Sequence, residues 1–333
     1  MDRRQFMQCV IGGAAGLMVG DVMAADPSGQ SRSNSAGQQK SRIALVRSGD
    51  RADGIKRAIR LLGANPVAGK KVLLKPNFNT ADPFPASTHN DTLIQLVAEL
   101  RQMGAKAITV GERSGPPDTR DVLKDKGIYD LCKRLDLGLI NFEELPPDGW
   151  KKVDPPGSHW HDGFLVARPV VEAECVVVTC CLKTHQYGGV FTMSLKNSIG
   201  CVSKKNMREL HTSFLSQRKM IAEVNFAYHP ALIVLDGLEA FVDKGPMAGP
   251  KKRADVILAG TDRIAIDAVG LAVLKELGSN RAIMETPIFA QEQIARAVQL
   301  GLGAKSPDAI EIVSDDEVSR SYAEKLRLIL AKG

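Results

Sequence analysis

Val176 to Val202 reads VVVTCCLKTHQYGGVFTMSLKNSIGCV. Its first three residues, Val176, Val177 and Val178, are apolar on both faces of an extended chain, which predicts a strand in the middle of a sheet. Lys183, His185, a Gly188-Gly189 turn, Lys196 and Asn197 follow in quick succession. Charged and ring-nitrogen groups just past the end of a central strand predict a site at the carboxyl edge of the sheet, where open α/β sheets bind their ligands. A Gly-Gly turn there lets backbone come close to a ligand.

Outward from this stretch, short apolar runs alternate with helical spacing. Arg42 to Val46, Val72 to Leu74, Ala107 to Val110, Leu139 to Phe142, Phe164 to Ala167, Ala231 to Leu235, Asp255 to Ala259 and Ile310 to Val313 read as strands. Asp53 to Leu62, Asp91 to Met103, Thr119 to Leu135 with a break near Gly127, most of Ser203 to Tyr228, Asp262 to Leu277 and Pro287 to Leu300 read as helices. The alternation predicts an α/β fold, a largely parallel, doubly wound sheet with helices on both faces. Residues 41–333 read as one such domain, with an irregular insert or hairpin at 146–163 that carries two loop histidines, His159 and His161.

Five predicted strands run into polar groups: Lys75 and Asn77, Glu112, Lys183 and His185, Asp236, and Asp262. Parallel strands present their carboxyl ends together, so these residues are expected to share one site. Asp236-Gly237 also reads as a turn and Asp262 as a helix cap. Asp267 lies in Ile264-Ala265-Ile266-Asp267-Ala268-Val269, a run apolar nearly all round, and a carboxylate buried there needs a partner: a site lysine, a cation or backbone donors. Lys75, Lys183 and Lys196 together suit an anion, and His185 suits a base or a metal ligand. Asp236, Asp262 and Asp267 would orient them or hold a divalent metal. The Gly/Pro loop Asp243 to Pro250 is long enough to fold over such a site. No G-x-S-x-G elbow, P-loop or G-x-G-x-x-G is present.

The chain has 333 residues, 44% hydrophobic and 25% charged, which is ample for a large core. Its net charge of +6 is spread along the chain, and aromatics are only 5%, so a nucleic-acid stacking surface is not expected. Arg3-Arg4 precede a short apolar run, Cys9 to Val19, and Val22-Met23-Ala24 offers small residues for cleavage. Residues 1–25 resemble a twin-arginine signal, and 26–40 read as a flexible linker. The resemblance implies transport in a folded state to the periplasm or another extracytoplasmic site, with the twin-arginine machinery as a partner. Cys132, Cys175, Cys180, Cys181 and Cys201 lack C-x-x-C spacing and read as core thiols or a disulfide, so no iron–sulfur cluster is expected.

The motifs Lys75-Pro76-Asn77, Gly111-Glu112-x-Ser114, Lys183-Thr184-His185, Ser194-Leu195-Lys196-Asn197-x-x-Gly200, Asp236-Gly237, Gly245-Pro246-x-x-Gly249 and Gly260-x-Asp262-x-x-Ala265-x-Asp267 resemble, in order, those of the DUF362 family. Many relatives are associated with a ferredoxin-type iron–sulfur segment, whose cysteine runs are missing here. The His185, Gly188-Gly189 and Lys196 pattern is similar, more distantly, to nickel-pincer-dependent lactate racemases. The expected protein is an exported enzyme acting on or with a small anionic ligand or cofactor. Lys183 and His185 would do acid/base work, while Lys75, Asn77, Glu112, Gly188, Gly189, Lys196 and Asn197 bind. The alternative is a non-catalytic metal- or cofactor-binding maturation protein for a redox partner.

Overall fold

The computed structural model describes residues 40–333; the twin-arginine stretch and nearly all of the linker lie outside the described residues. Eleven strands occur among them: β1 (Ser41–Arg47), β2 (Lys71–Lys75), β3 (Ala107–Glu112), β4 (Gly138–Asn141), β5 (Trp150–Val153), β6 (Phe164–Ala167), β7 (Cys175–His185), β8 (Val190–Thr192), β9 (Pro230–Phe241), β10 (Lys251–Gly260) and β11 (Ile310–Val313). Nine form one sheet in the order β11-β1-β10-β9-β7-β2-β3-β4, with β8 added to β7; β5, from the stretch read as an irregular insert or hairpin, and β6, the strand expected at Phe164 to Ala167, make a separate hairpin.

β7 pairs in parallel with β2 and β9, and β2–β3–β4 continue in parallel. β10 is antiparallel to both β9 and β1. The sheet is therefore largely parallel, with β10 and the short β8 as its antiparallel members.

Apolar residues cover both faces. On one face Leu45, Val178, Leu182 and Leu258 join Val269 and Leu326, and on the other Val46, Leu74 and Val177 join Ile55, Leu96 and Leu123. The helices begin where the sequence supplies caps: Asp50 accepts from the N–H groups of Ala52 and Asp53, and Asp262 from those of Ile264 and Ala265. Gly63, at φ 67°, closes the helix Arg51–Leu62. The predicted helix at 119–135 breaks at Gly127, φ 66°.

β7 differs from its sequence reading. It runs eleven buried residues rather than stopping near Thr179, so Lys183 and His185 lie within the strand. β7 overshoots β2, whose last pairing is Lys75 with Val178, and β8 folds back to fill the gap, pairing Lys183 with Thr192 and His185 with Val190. Periodicity ends where the charges begin, but this hairpin buries the charges too. No helix among the described residues is long and apolar enough to cross a membrane.

Candidate functional site

Beyond the carboxyl ends of β2, β3 and β7 lies a cavity of about 710 Å³. Lys75, Asn77, Glu112, Lys183, His185, Lys196 and Asn197 all line it, so most of the expected constellation is gathered there. Gly188 and Gly189 form the tip of the β7–β8 hairpin beside it. A Cβ on Gly189 would stand 2.7 Å from Lys196 Cε and 2.9 Å from His185 Nδ1, so only glycine lets both side chains close on the turn. Gly188 has φ 81° and abuts Gln217, a conformation and a space that both favour glycine.

On the floor, Lys75 Nζ meets Glu112 Oε1 at 2.6 Å, both side chains buried. The ammonium also donates to Pro76 O at 2.6 Å and Asn197 Oδ1 at 3.2 Å. Glu112 accepts from the N–H groups of Phe78 and Arg113. Burial pushes the Glu112 carboxyl up from its ordinary value, against the pull of Lys75. Lys75 and Glu112 thus spend their charges on each other. Gly200 packs over this pair, where a Cβ would lie 2.6 Å from Glu112 Oε1 and 2.7 Å from Lys75 Nζ.

Lys183 and Lys196 have no such counter-charge. Lys183, fully buried, donates to Ala86 O and forms no ion pair among the described residues. Burial pushes it down to about 8. The side-chain amine of Lys196 makes neither hydrogen bond nor ion pair among the described residues, and desolvation, with Lys183 and Arg113 nearby, pushes it down to about 7. His185 sits well below the ordinary imidazole value because it is buried and faces Lys196, Lys183 and His211. It is therefore neutral at pH 7, and its Nδ1 is buried without a partner. Asn77 Oδ1 and Thr192 Oγ1 are likewise buried and unpartnered.

The three aspartates do not join this group. Asp236 lies inside β9 rather than at its end, and accepts from Arg51 Nε at 2.7 Å and Thr92 Oγ1 at 2.6 Å. Asp262 is at the opposite edge of the sheet, because β10 runs antiparallel and delivers it beside the start of β1, where Ser41 Oγ and the Ala304 N–H donate to it. Asp267 is buried as expected; its partners are the N–H groups of Ser194 and Leu195, at 2.7 and 2.9 Å. Among the described residues no three His, Cys, Asp or Glu side chains are placed to hold a metal ion, so the expected aspartate metal site is not assembled. Asp267 instead fixes the short helix Ser194–Asn197, from which Lys196 and Asn197 reach the cavity.

Further residues complete the walls. Arg113, buried, donates to the carbonyls of Ser114, Ile199 and Val202 and so pins the segment after Asn197; its place directly after Glu112 was a readable signal. Thr192 reaches the site only because β8 pairs with β7, which no local pattern announces. Tyr187, Met207, Arg208, His211, Pro246 and Met247 form the outer wall. The last two confirm that the Asp243 to Pro250 loop folds over the site. His159 is remote, bonded to Glu223 at 2.6 Å. The five described cysteines are buried and unpaired.

These features define an α/β protein with a cation-bearing cavity at the carboxyl edge of its sheet. Residues 72–272, well over half of the chain, match the family described as Domain of unknown function (DUF362), and the chain belongs to that family. It is 27% identical over 212 residues to Thylakoid-associated protein sll1697 of Synechocystis sp., a match that spans 62% of this chain and 64% of that protein. Among solved structures it is similar to the lactate racemase apoprotein from Thermoanaerobacterium thermosaccharolyticum. That match covers 87% of this chain and 86% of the other, at 13% identity and a TM-score of 0.45, too loose a likeness to bear on the site.

Proposed function

We propose that the cavity binds an anionic small molecule or cofactor and that the protein is an enzyme in which His185 and Lys183 move protons on it. The observation that carries this reading is that Lys183 and Lys196 enter one cavity with no carboxylate partner. Two ammonium groups in one cavity, Lys183 buried and Lys196 half-buried, repel each other and are poorly solvated, and a bound anion relieves both costs. Its charge-assisted hydrogen bonds are of the stronger kind. Asn77 Oδ1, Thr192 Oγ1 and His185 Nδ1, all unpartnered, supply polar contacts that fix its orientation. Ile199, Met207 and Met247 give it an apolar side. Near pH 7 Lys183 is largely charged and His185 neutral, so the first can donate a proton and the second accept one.

The volume of about 710 Å³ also suits a protein that holds an anionic cofactor for a redox partner without turning it over; turnover against stoichiometric retention separates the two. The paired Arg3 and Arg4 belong to the same reading, as the signal of a protein exported in its folded state to the periplasm or another extracytoplasmic site. Native mass spectrometry of the purified protein beside Lys183→Met tests the proposal. The expected result is one bound anion per chain, native or acquired on titration with phosphate or oxalate, and bound more weakly in the variant. Failure of the wild-type protein to hold any anion would overturn it.

A further inference from the structure

Lys196 differs from the other lysines of the cavity. Lys75 is held by Glu112, Pro76 and Asn197, Lys183 by the Ala86 carbonyl, and Lys204 by Glu143 and the Pro117 carbonyl. The amine of Lys196 is engaged by none of the described residues, yet its stem is fixed at both ends. Asp267 anchors the turn from which it springs, and Gly189 packs against its Cε. Lys183 and Arg113 disfavour a second ammonium at this place. A primary amine that is unbonded, held at its stem and about half deprotonated near pH 7 has its lone pair free for much of the time, the arrangement that activates a lysine as a nucleophile.

We propose that Lys196 is the nucleophile of this cavity and binds its anionic ligand covalently, as a Schiff base to a ketone or aldehyde carbonyl. The ligand class is thus a 2-oxo acid or another carbonyl-bearing anion; this rests on the anion-binding reading above and narrows it. Lys196 Nζ attacks the carbonyl carbon, a C–N bond forms, and the C=O π electrons move to oxygen. His185, whose Nδ1 faces the same point of the Gly189 turn as Lys196 Cε, takes a proton from the nitrogen and returns it to that oxygen. The resulting carbinolamine loses its hydroxyl with the second nitrogen hydrogen as water and leaves the imine. Nothing is oxidised or reduced, and no further reactant is needed. Lys183 faces the carboxylate, while Ile199, Met207 and Met247 take an apolar substituent.

The test is reductive trapping of the whole protein with phenylpyruvate and sodium cyanoborohydride at pH 7, followed by peptide mapping, with oxalate binding measured in parallel. Stable labelling at Lys196 is expected, on the order of 100-fold faster than at surface lysines, since the model-peptide lysine value of ~10.4 leaves little neutral amine at pH 7. Lys196→Arg should abolish this label and keep the slow surface labelling. Should that variant not fold, the map of the wild-type protein decides alone. Labelling at Lys183, or only at surface lysines, or none, would overturn the proposal. Oxalate binding without a Lys196 adduct would reject the Schiff base and leave the anion cavity standing; loss of oxalate binding as well would remove both.

Discussion

An ordinary lysine holds its proton far above pH 7, because water solvates the ammonium better than anything a fold supplies. At Lys183 and Lys196 the fold limits water and supplies no counter-ion, and the two groups fall to about 8 and about 7. The unfolded chain therefore binds more protons than the folded one from about pH 7 to ~10.4, and stability rises with pH across that window. Lys196→Met is expected to melt higher than the wild-type protein at pH 7, by roughly 1–2 kcal/mol since water enters the cavity, with the gap closing toward pH 10. A lower melting temperature at pH 7 would place a counter-charge beside Lys196. Asp267 is the opposite case. Burial raises its carboxyl to about 7, and two backbone donors hold it. Asp267→Lys, which buries an unpaired charge, should cost ~3–5 kcal/mol. Asp267→Leu, which leaves two donors unmet, should cost less, and equal melting temperatures for the two variants would contradict this assignment. The burial of Asp267 was legible from its all-apolar helix. Its partner was not, because backbone donors leave no mark in a sequence.

The β7–β8 hairpin is the element that makes the site. Extending β7 past its parallel neighbour gives Lys183 and His185 strand geometry, with both side chains on one face, and β8 seals them from solvent. Val190, at the turn, has φ 67°, a conformation strained for a β-branched side chain. Adding one methyl at either of two glycines separates binding from stability. Gly189→Ala would press on Lys196 and His185, so anion affinity should fall at least tenfold, about 1.4 kcal/mol, with a smaller change in melting. Gly200→Ala would press on the buried Lys75–Glu112 pair, so its main effect should be on stability. Calorimetric titration and thermal melts of both variants check the contrast, and matching profiles would show that the hairpin does not set the geometry. The sequence marked this hairpin with Gly188-Gly189 but hid the strand's length, since charged residues inside β7 break the apolar pattern that a strand reading follows.

At the scale of the whole molecule, apolar runs and capped helices announce an α/β sheet, and the order of elements puts helices on both faces. The direction of β10 escaped the reading, because side-chain alternation is the same for either direction. The signal lay in the connection: the few residues between Phe241 and Lys251 are too short for a parallel crossover, which needs a dozen or more. That one reversal carries Asp262 to the far edge and leaves the site without the carboxylate cluster expected of a metal centre. The twin-arginine reading has its own check: changing both Arg3 and Arg4 to Lys should retain the protein in the cytoplasm, and unchanged yield of an exported, processed form would contradict it. The central claim is that Lys183 and Lys196 stand uncompensated in order to meet an anion. Calorimetric titration of oxalate into the wild-type protein and Lys183→Met at pH 7 tests it most directly. The expected result is one site per chain, weakened by 10- to 100-fold in the variant for the loss of a charged hydrogen bond of ~1.5–3 kcal/mol, and weakening in the wild-type protein as pH rises through 7 to 8 and the amines lose their protons. Equal affinity in the two proteins, or no binding in either, would contradict it.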